Sequence, residues 1–279
     1  MSGTQPLKIL ITGGARGIGR GLFQHFMRAG HSVYVLDANT TELDHIRKTA
    51  ETWKPSSSAS VWKASLCDLR DRSAIKATIE DVKSTFDGKL DVLINNAMAT
   101  EGVGAGRLME DNSDEIMEDW DTKIAVGLTA PYLLGRLCVP LLKAGSSAPG
   151  SPGTIINISS TRAYQAEDNH EAYSAAKAGI LGLTRSMSVS LGHRHKIRVN
   201  AILPGWIHVM NERAEADGAS VAWEVGLTKE DAEWHPAGRV GRAGDIAKAI
   251  EYLIGSGFVT GQEVVVDGGV GRKMVYPEE

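Results

Sequence analysis

Tyr173 and Lys177 stand four residues apart in Tyr173-Ser174-Ala175-Ala176-Lys177. Glu171-Ala172 before them and Ala178 after them favour helix, and a helix puts positions i and i+4 on one face. A free phenol titrates near pH ~10, but an ammonium close by favours the phenolate and lowers that value. Such a tyrosine can give or take a proton as a general acid or base. Thirteen residues upstream, Ser160 closes the apolar run Thr154-Ile155-Ile156-Asn157-Ile158-Ser159. That run reads as a buried strand, and in a parallel sheet its terminal hydroxyl falls at the carboxyl edge, where such sheets bind ligands. Ser160, Tyr173 and Lys177 are the candidate catalytic residues. By itself Y-x-x-x-K is more often a surface pair on an ordinary helix, so its meaning depends on the rest of the chain.

A second group of residues is suited to binding. The apolar run Lys8-Ile9-Leu10-Ile11-Thr12 leads into Gly13-Gly14-Ala15-Arg16-Gly17-Ile18-Gly19, and a helical pattern follows with Leu22, Phe23, Phe26 and Met27 on one face. In a strand, glycine turn and helix, Gly13, Gly17 and Gly19 let the backbone approach a pyrophosphate, whose charge the amides of the helix amino terminus bind. The next run, Ser32 to Leu36, ends in Asp37, eighteen residues beyond Gly19. A carboxylate there accepts hydrogen bonds from both ribose hydroxyls and repels a 2′-phosphate, which favours NAD and makes NADP the lesser candidate. Asp37 is also placed to cap the helix starting at Thr40, and Arg16 is a basic residue able to draw a phosphate. Asp68 follows the third strand, where its carboxylate can hold an adenine amino group or cap the helix near Asp71. Asn95 and Asn96 end the fourth strand; buried amides there need partners, so a structural role competes with contact to a cofactor.

These side chains must be positioned by a sheet. Seven strands are read at residues 8–12, 32–36, 61–64, 90–97, 154–159, 196–202 and 263–267, alternating with helical segments at about 42–54, 73–86, 114–142, 171–191 and 245–254. The alternation predicts α/β architecture: a single doubly wound Rossmann-type domain over residues 1–279, with a central, mostly parallel seven-stranded sheet. Residues 206–238 follow the sixth strand at the same edge, have mixed polarity and are read as a substrate lid. Tyr164, Asn169 and Trp206, with Gln165, His170 and His208, flank the expected site and give it aromatic walls and polar groups.

Composition narrows the partners. The chain has 279 residues, 42% apolar, and a formal charge of -4. With no long basic run, nucleic acid and anionic membrane surfaces are not expected partners. Cys67 and Cys138 have neither metal-site nor disulfide spacing, which fits a reducing compartment. His193 and His195, two apart on what reads as a short polar loop, have a surface spacing, and no metal site is expected. No signal peptide is read at the amino terminus and no uninterrupted apolar span of about 20 residues elsewhere, so the expectation is cytoplasmic.

Together these residues give the chain its resemblance. From Ile9 to about Gly269 it resembles the short-chain dehydrogenases/reductases, through Thr12-Gly13-x-x-x-Gly17-x-Gly19, Asp68, Asn95-Asn96-Ala97, Ser160 with Tyr173-x-x-x-Lys177, Pro204-Gly205-Trp206-Ile207 and Val265-Val266-Asp267-Gly268-Gly269. The resemblance implies an oxidoreductase of the NAD-preferring type acting on a secondary alcohol/ketone pair. Tyr173 would be the general acid/base, Lys177 would lower its pKa and hold the nicotinamide ribose, and Ser160 would hold the substrate oxygen. It adds Ile18, Leu69, Ala97, Pro204, Gly205 and Ile207 to the cofactor-binding residues, and implies a homotetramer or homodimer. Three positions depart from the pattern. Aligned on Trp120 and Pro131, Gly127 stands where the family carries an asparagine that kinks the helix and helps hold a relay water. Met98 replaces the glycine of Asn-Asn-Ala-Gly. Val209 stands where a threonine hydrogen-bonds the carboxamide, a loss of roughly 1 kcal/mol. These departures motivate an alternative: a nucleotide-binding protein with weak catalysis that serves as a sensor or scaffold.

Overall fold

The strands form because continuous β-branched and aliphatic runs can be buried on both faces only inside a parallel sheet covered by helices. In a computed structural model describing residues 6–99, 108–110, 112–144 and 153–274, β1 (Lys8–Thr12), β2 (Ser32–Asp37), β3 (Trp62–Leu66), β4 (Val92–Asn95), β5 (Thr154–Ile158), β6 (Arg198–Pro204) and β7 (Glu263–Val266) make one seven-stranded sheet. Its order is β3-β2-β1-β4-β5-β6-β7, and every pairing is parallel. The order reverses between β1 and β4, and ligands of doubly wound sheets bind at that reversal, beyond the carboxyl ends of the strands.

Alternation along each strand divides the core in two. Ile9 and Ile11 of β1 face α1 (Gly17–Arg28), α2 (Thr40–Thr49) and, later in the chain, the helix Ala243–Gly255. Leu10 faces the other layer, built on α3 (Arg72–Thr85) and the helices that follow β4 and β5. Side chains such as Phe23, Phe26, Leu10 and Leu93 are fully enclosed, and each is worth about 1.5–3 kcal/mol in apolar burial.

The expected single helix over residues 114–142 is interrupted. α4 (Asp114–Ile124) passes into a π-helical turn, Ala125–Thr129, before α5 (Ala130–Ala144). Such bulges re-aim side chains and recur at functional sites. The continuous stretch Asp114–Lys143 is long and apolar enough, by length and composition, to cross a membrane, although Lys123 and Arg136 interrupt its apolar run. Leu134, Cys138, Leu141 and Leu142 of α5 nevertheless pack into the second core layer, and that packing accounts for its apolarity here.

α6 (Glu171–His195) carries Tyr173 and Lys177, and it extends through His193 and His195, which lie in its last turn and not in a loop. After β6, residues 206–238 contain α7 (Ala214–Gly218) and α8 (Lys229–Trp234), and α9 (Ala243–Gly255) precedes β7. α7 is tied to α2: the Ala214 amide donates to Glu42 at 2.8 Å, and Asp217 binds both His45 and Arg20. Most of the acidic and glycine-rich stretch at residues 100–114 lies outside the described residues.

Candidate active site

Glycine at the first turn is required by backbone geometry. Gly13 and Gly17 occupy the left-handed region, at φ +65° and +61°, and a Cβ on Gly19 would lie 1.9 Å from the Gly13 carbonyl oxygen. The turn therefore closes tightly onto the start of α1. A Cβ on Gly17 would meet only Val209, at 3.9 Å, so that side of the turn faces open space. The Gly17 amide itself donates to the Glu212 carbonyl at 2.8 Å, which lays the segment after β6 across the mouth of the turn.

Above the carboxyl edge lies a cleft of about 1370 Å³. Gly13, Arg16, Gly17 and Ile18 line one end, with Asp37, Asp68 and Leu69 beside them; Ala97, Ser160, Tyr173 and Lys177 line the other, and Pro204, Gly205, Trp206 and Ile207 flank it. Glycine turn, acidic strand end and the polar wall of Ser160, Tyr173 and Lys177 together fit a nicotinamide dinucleotide. The competing reading of Asp37 as a helix cap does not hold. Asn39 caps α2 by accepting from the Glu42 amide, while Asp37 accepts from the Ala15 and Asn39 amides, both at 3.0 Å. Likewise Asp71, not Asp68, caps α3, and Asp68 pairs with Arg70.

Six expected site residues do not line the cleft: Gly19, Asn95, Tyr164, Gln165, Asn169 and His170. Gly19 packs against the turn as described above. Asn95 is buried and donates to Asn157 at 2.8 Å, whose amide in turn donates to Thr184 at 2.9 Å, so it braces β4 against β5 and α6. Its neighbour Asn96 does face the cleft and donates to the carbonyls of Thr12 and Gly13 at 3.0 and 3.1 Å. Tyr164 is two-thirds exposed and directs its hydroxyl to Glu263 on β7. Asn169 sits at φ +61° in the loop before α6, where asparagine tolerates the left-handed region.

The sequence reading missed the cleft's acidic wall. Glu115, Glu118, Asp119 and Thr122 of α4, with Val126 of the π turn, line it. Their spacing of three and four residues is one helical face, and that was the available signal. Met98 also lines the cleft, and its sulfur lies 2.7 Å from where a Cβ on Gly127 would be.

The electrostatics of the reactive pair differ from expectation. Ser160 caps the short turn Thr161–Ala163, accepting from the Arg162 amide at 3.2 Å, and hydrogen-bonds the Tyr173 phenol. Loss of water raises the Tyr173 pKa above its ordinary 10, and the Ser160 bond and the charge of Arg162 pull it back down. Lys177 Nζ stands 5.5 Å from the Tyr173 ring centroid. The Lys177 ammonium is itself buried, donates to the Ile158 carbonyl at 2.9 Å, and has its pKa brought down from 10.5 to about 8 by burial.

A stability prediction follows from Lys177. Its folded pKa lies below the unfolded value, so between pH about 8 and 10.5 the unfolded chain holds the extra proton and stability rises with pH. The gain attributable to this group is about 3 kcal/mol across the window. Lys177→Met is expected to lose that slope and to be no less stable than the wild type at neutral pH. Denaturant unfolding of both proteins from pH 7 to 10 checks it; equal slopes would show that the ammonium is not desolvated.

Comparison with known proteins places this geometry in context. Residues 13–271 match a family model described as enoyl-(acyl carrier protein) reductase. An uncharacterized oxidoreductase of Thermotoga maritima is 35% identical over 273 residues, covering 96% of this chain and 97% of that protein. The 3-oxoacyl-[acyl-carrier-protein] reductase FabG of the same organism is 32% identical, with 94% and 96% covered. Among solved structures, an apo SCOR enzyme from Clostridium thermocellum superposes with a TM-score of 0.77 at 32% identity, covering 98% of this chain and 95% of that one.

Proposed function

Because this chain belongs to the short-chain dehydrogenase/reductase family, we propose that it transfers a hydride between a nicotinamide dinucleotide, NAD in preference to NADP, and a secondary alcohol/ketone pair. The observation that carries the reading is one cleft lined at one end by the glycine turn and Asp37 and at the other by Ser160, Tyr173 and Lys177. The bound dinucleotide supplies or accepts the hydride, and the protein supplies position and proton transfer. Ser160 holds the substrate oxygen and Tyr173 delivers the proton to it in reduction or removes it in oxidation. Lys177 donates to the ribose from its place beneath β5. Residues 206–238 cover the substrate, with Trp206 against it. The reading extends to a cytoplasmic homotetramer or homodimer, which light scattering on the purified chain would test.

The first test is consumption of NADH, and separately of NADPH, with a panel of ketones and aldehydes. Turnover that favours NADH supports the proposal. Dinucleotide binding without turnover of any carbonyl would instead favour the nucleotide-binding sensor or scaffold.

The cofactor preference has its own test. Ala15 and Asn39 amides fix the Asp37 carboxylate at the end of β2, and its remaining lone pairs serve ribose hydroxyls while its charge opposes a 2′-phosphate. Asp37→Ser is expected to shift the NADH:NADPH ratio of kcat/KM toward NADPH by about 10–100-fold, or 1.4–2.8 kcal/mol. An unchanged ratio would remove Asp37 from the reading.

A further inference from the structure

We propose that Arg213, in the segment after β6, is a dinucleotide-binding residue: its guanidinium binds the pyrophosphate, as a cation brought to the glycine turn by the segment that crosses it. Both chain neighbours of Arg213 are tethered at the dinucleotide end of the cleft. The Glu212 carbonyl accepts from the Gly17 amide at 2.8 Å, and the Ala214 amide donates to Glu42 of α2 at 2.8 Å. Arg213 is therefore held between the glycine turn and the start of α2. It lines the cleft there, together with Arg16, Gly17, Asp37 and Thr40.

Two observations mark this guanidinium for an anion. Its fork is unfilled: Nε is enclosed and has no hydrogen-bond partner among the described residues. The ion pair of Nη2 with Glu215 is loose, at 3.5 Å, and that carboxylate is four-fifths exposed. Arg239, by contrast, has both its terminal nitrogens on Asp245 at 2.7 Å. An arginine fork presents paired donors that match phosphate oxygens. The second observation concerns the glycine turn, where the Gly17 amide opens α1 and is spent on the Glu212 carbonyl. A helix amino terminus binds an anion through such amides; with one of them taken, the cation next to that carbonyl supplies the missing donor. The carboxylates nearby are otherwise engaged, Glu212 accepting from Gln24 and Asn211 at 3.4 and 3.2 Å and Asp37 from the Ala15 and Asn39 amides. Because Asp37 on the same wall opposes a 2′-phosphate, Arg213 serves the phosphates that every nicotinamide dinucleotide carries.

The inference rests on the dinucleotide reading of the cleft, and its test measures binding without turnover. Dissociation constants for adenosine, ADP, NADH and NADPH are measured by NMR titration of wild type, Arg213→Lys and Arg213→Gln. Arg213→Gln is expected to weaken ADP and NADH alike, by about 10–100-fold, the usual worth of a hydrogen bond to a charged group. Arg213→Lys keeps the charge without the fork and is expected to fall between Arg213→Gln and wild type. Adenosine, which has no phosphate, should bind all three proteins equally, and that equality also shows that the variants are folded around the site. A merely structural role would weaken adenosine together with ADP, and that result overturns the inference. So does a loss confined to NADPH, which would assign Arg213 to the 2′-phosphate. Wild type that binds ADP no better than Arg213→Gln removes Arg213 and leaves the proposed function standing. Wild type that binds neither ADP nor NADH overturns the dinucleotide reading itself and the inference with it.

Discussion

Tyr173→Phe is expected to lower kcat/KM for carbonyl reduction by about 10²–10⁴-fold, the usual worth of a positioned general acid. The substitution removes the hydroxyl that Ser160 hydrogen-bonds and leaves the ring that Arg162 and Lys177 flank, so folding and dinucleotide affinity should change little. The raised pKa sets the pH dependence. Throughout the neutral range the phenol keeps its proton, so reduction should be insensitive to pH there. Oxidation of the alcohol needs the phenolate and should climb as the medium becomes alkaline toward the raised value. Single-turnover rates in both directions, with wild type and variant, separate these effects from binding. Reduction that persists in Tyr173→Phe at wild-type rate would transfer the proton to another donor and end the proposed mechanism.

Backbone architecture was the most legible part of the sequence, because runs such as Thr154–Ile158 are apolar on both faces and only a covered parallel sheet accepts them. Boundaries slipped where side chains compete with the ladder. β4 begins at Val92 instead of Leu90 because the Leu90 amide donates to Leu141 and the Asp91 carboxylate accepts from the Lys8 amide. The glycine turn, Asp37 and the Ser160, Tyr173 and Lys177 set were legible because each lies at a strand end or on one helix face, where local spacing fixes position. Tyr164 was not, since its direction depends on the turn Thr161–Ala163 and on Glu263, almost a hundred residues away. Contacts between segments distant in sequence leave no periodic trace.

Met98 and Gly127 are such a contact, and it joins two of the departures from the family pattern into one packing unit. Gly127 lies buried within the π turn Ala125–Thr129, and a Cβ there would meet the Met98 sulfur at 2.7 Å and Ala176 Cβ at 3.1 Å. The methionine thus fills the space that an asparagine side chain at 127 would enter, and the helix is deformed by its π turn with glycine in that position. Gly127→Asn alone is overpacked, which typically costs 1–3 kcal/mol. The nearest obstacle is the flexible end of a side chain that already lines the cleft, so Met98 can relieve the clash by swinging into the space that the dinucleotide occupies. Gly127→Asn is therefore expected to weaken dinucleotide binding by about tenfold, or 1.4 kcal/mol, alongside a loss of stability. Adding Met98→Gly should restore affinity, since it clears both the helix face and the cleft. A double-mutant cycle on dissociation constants and unfolding free energies measures the coupling, which for residues in contact runs to about 0.5–3 kcal/mol. Additive effects would mean that the two positions are independent. Coupling would mean that an asparagine can be accommodated at 127 only together with a smaller residue at 98.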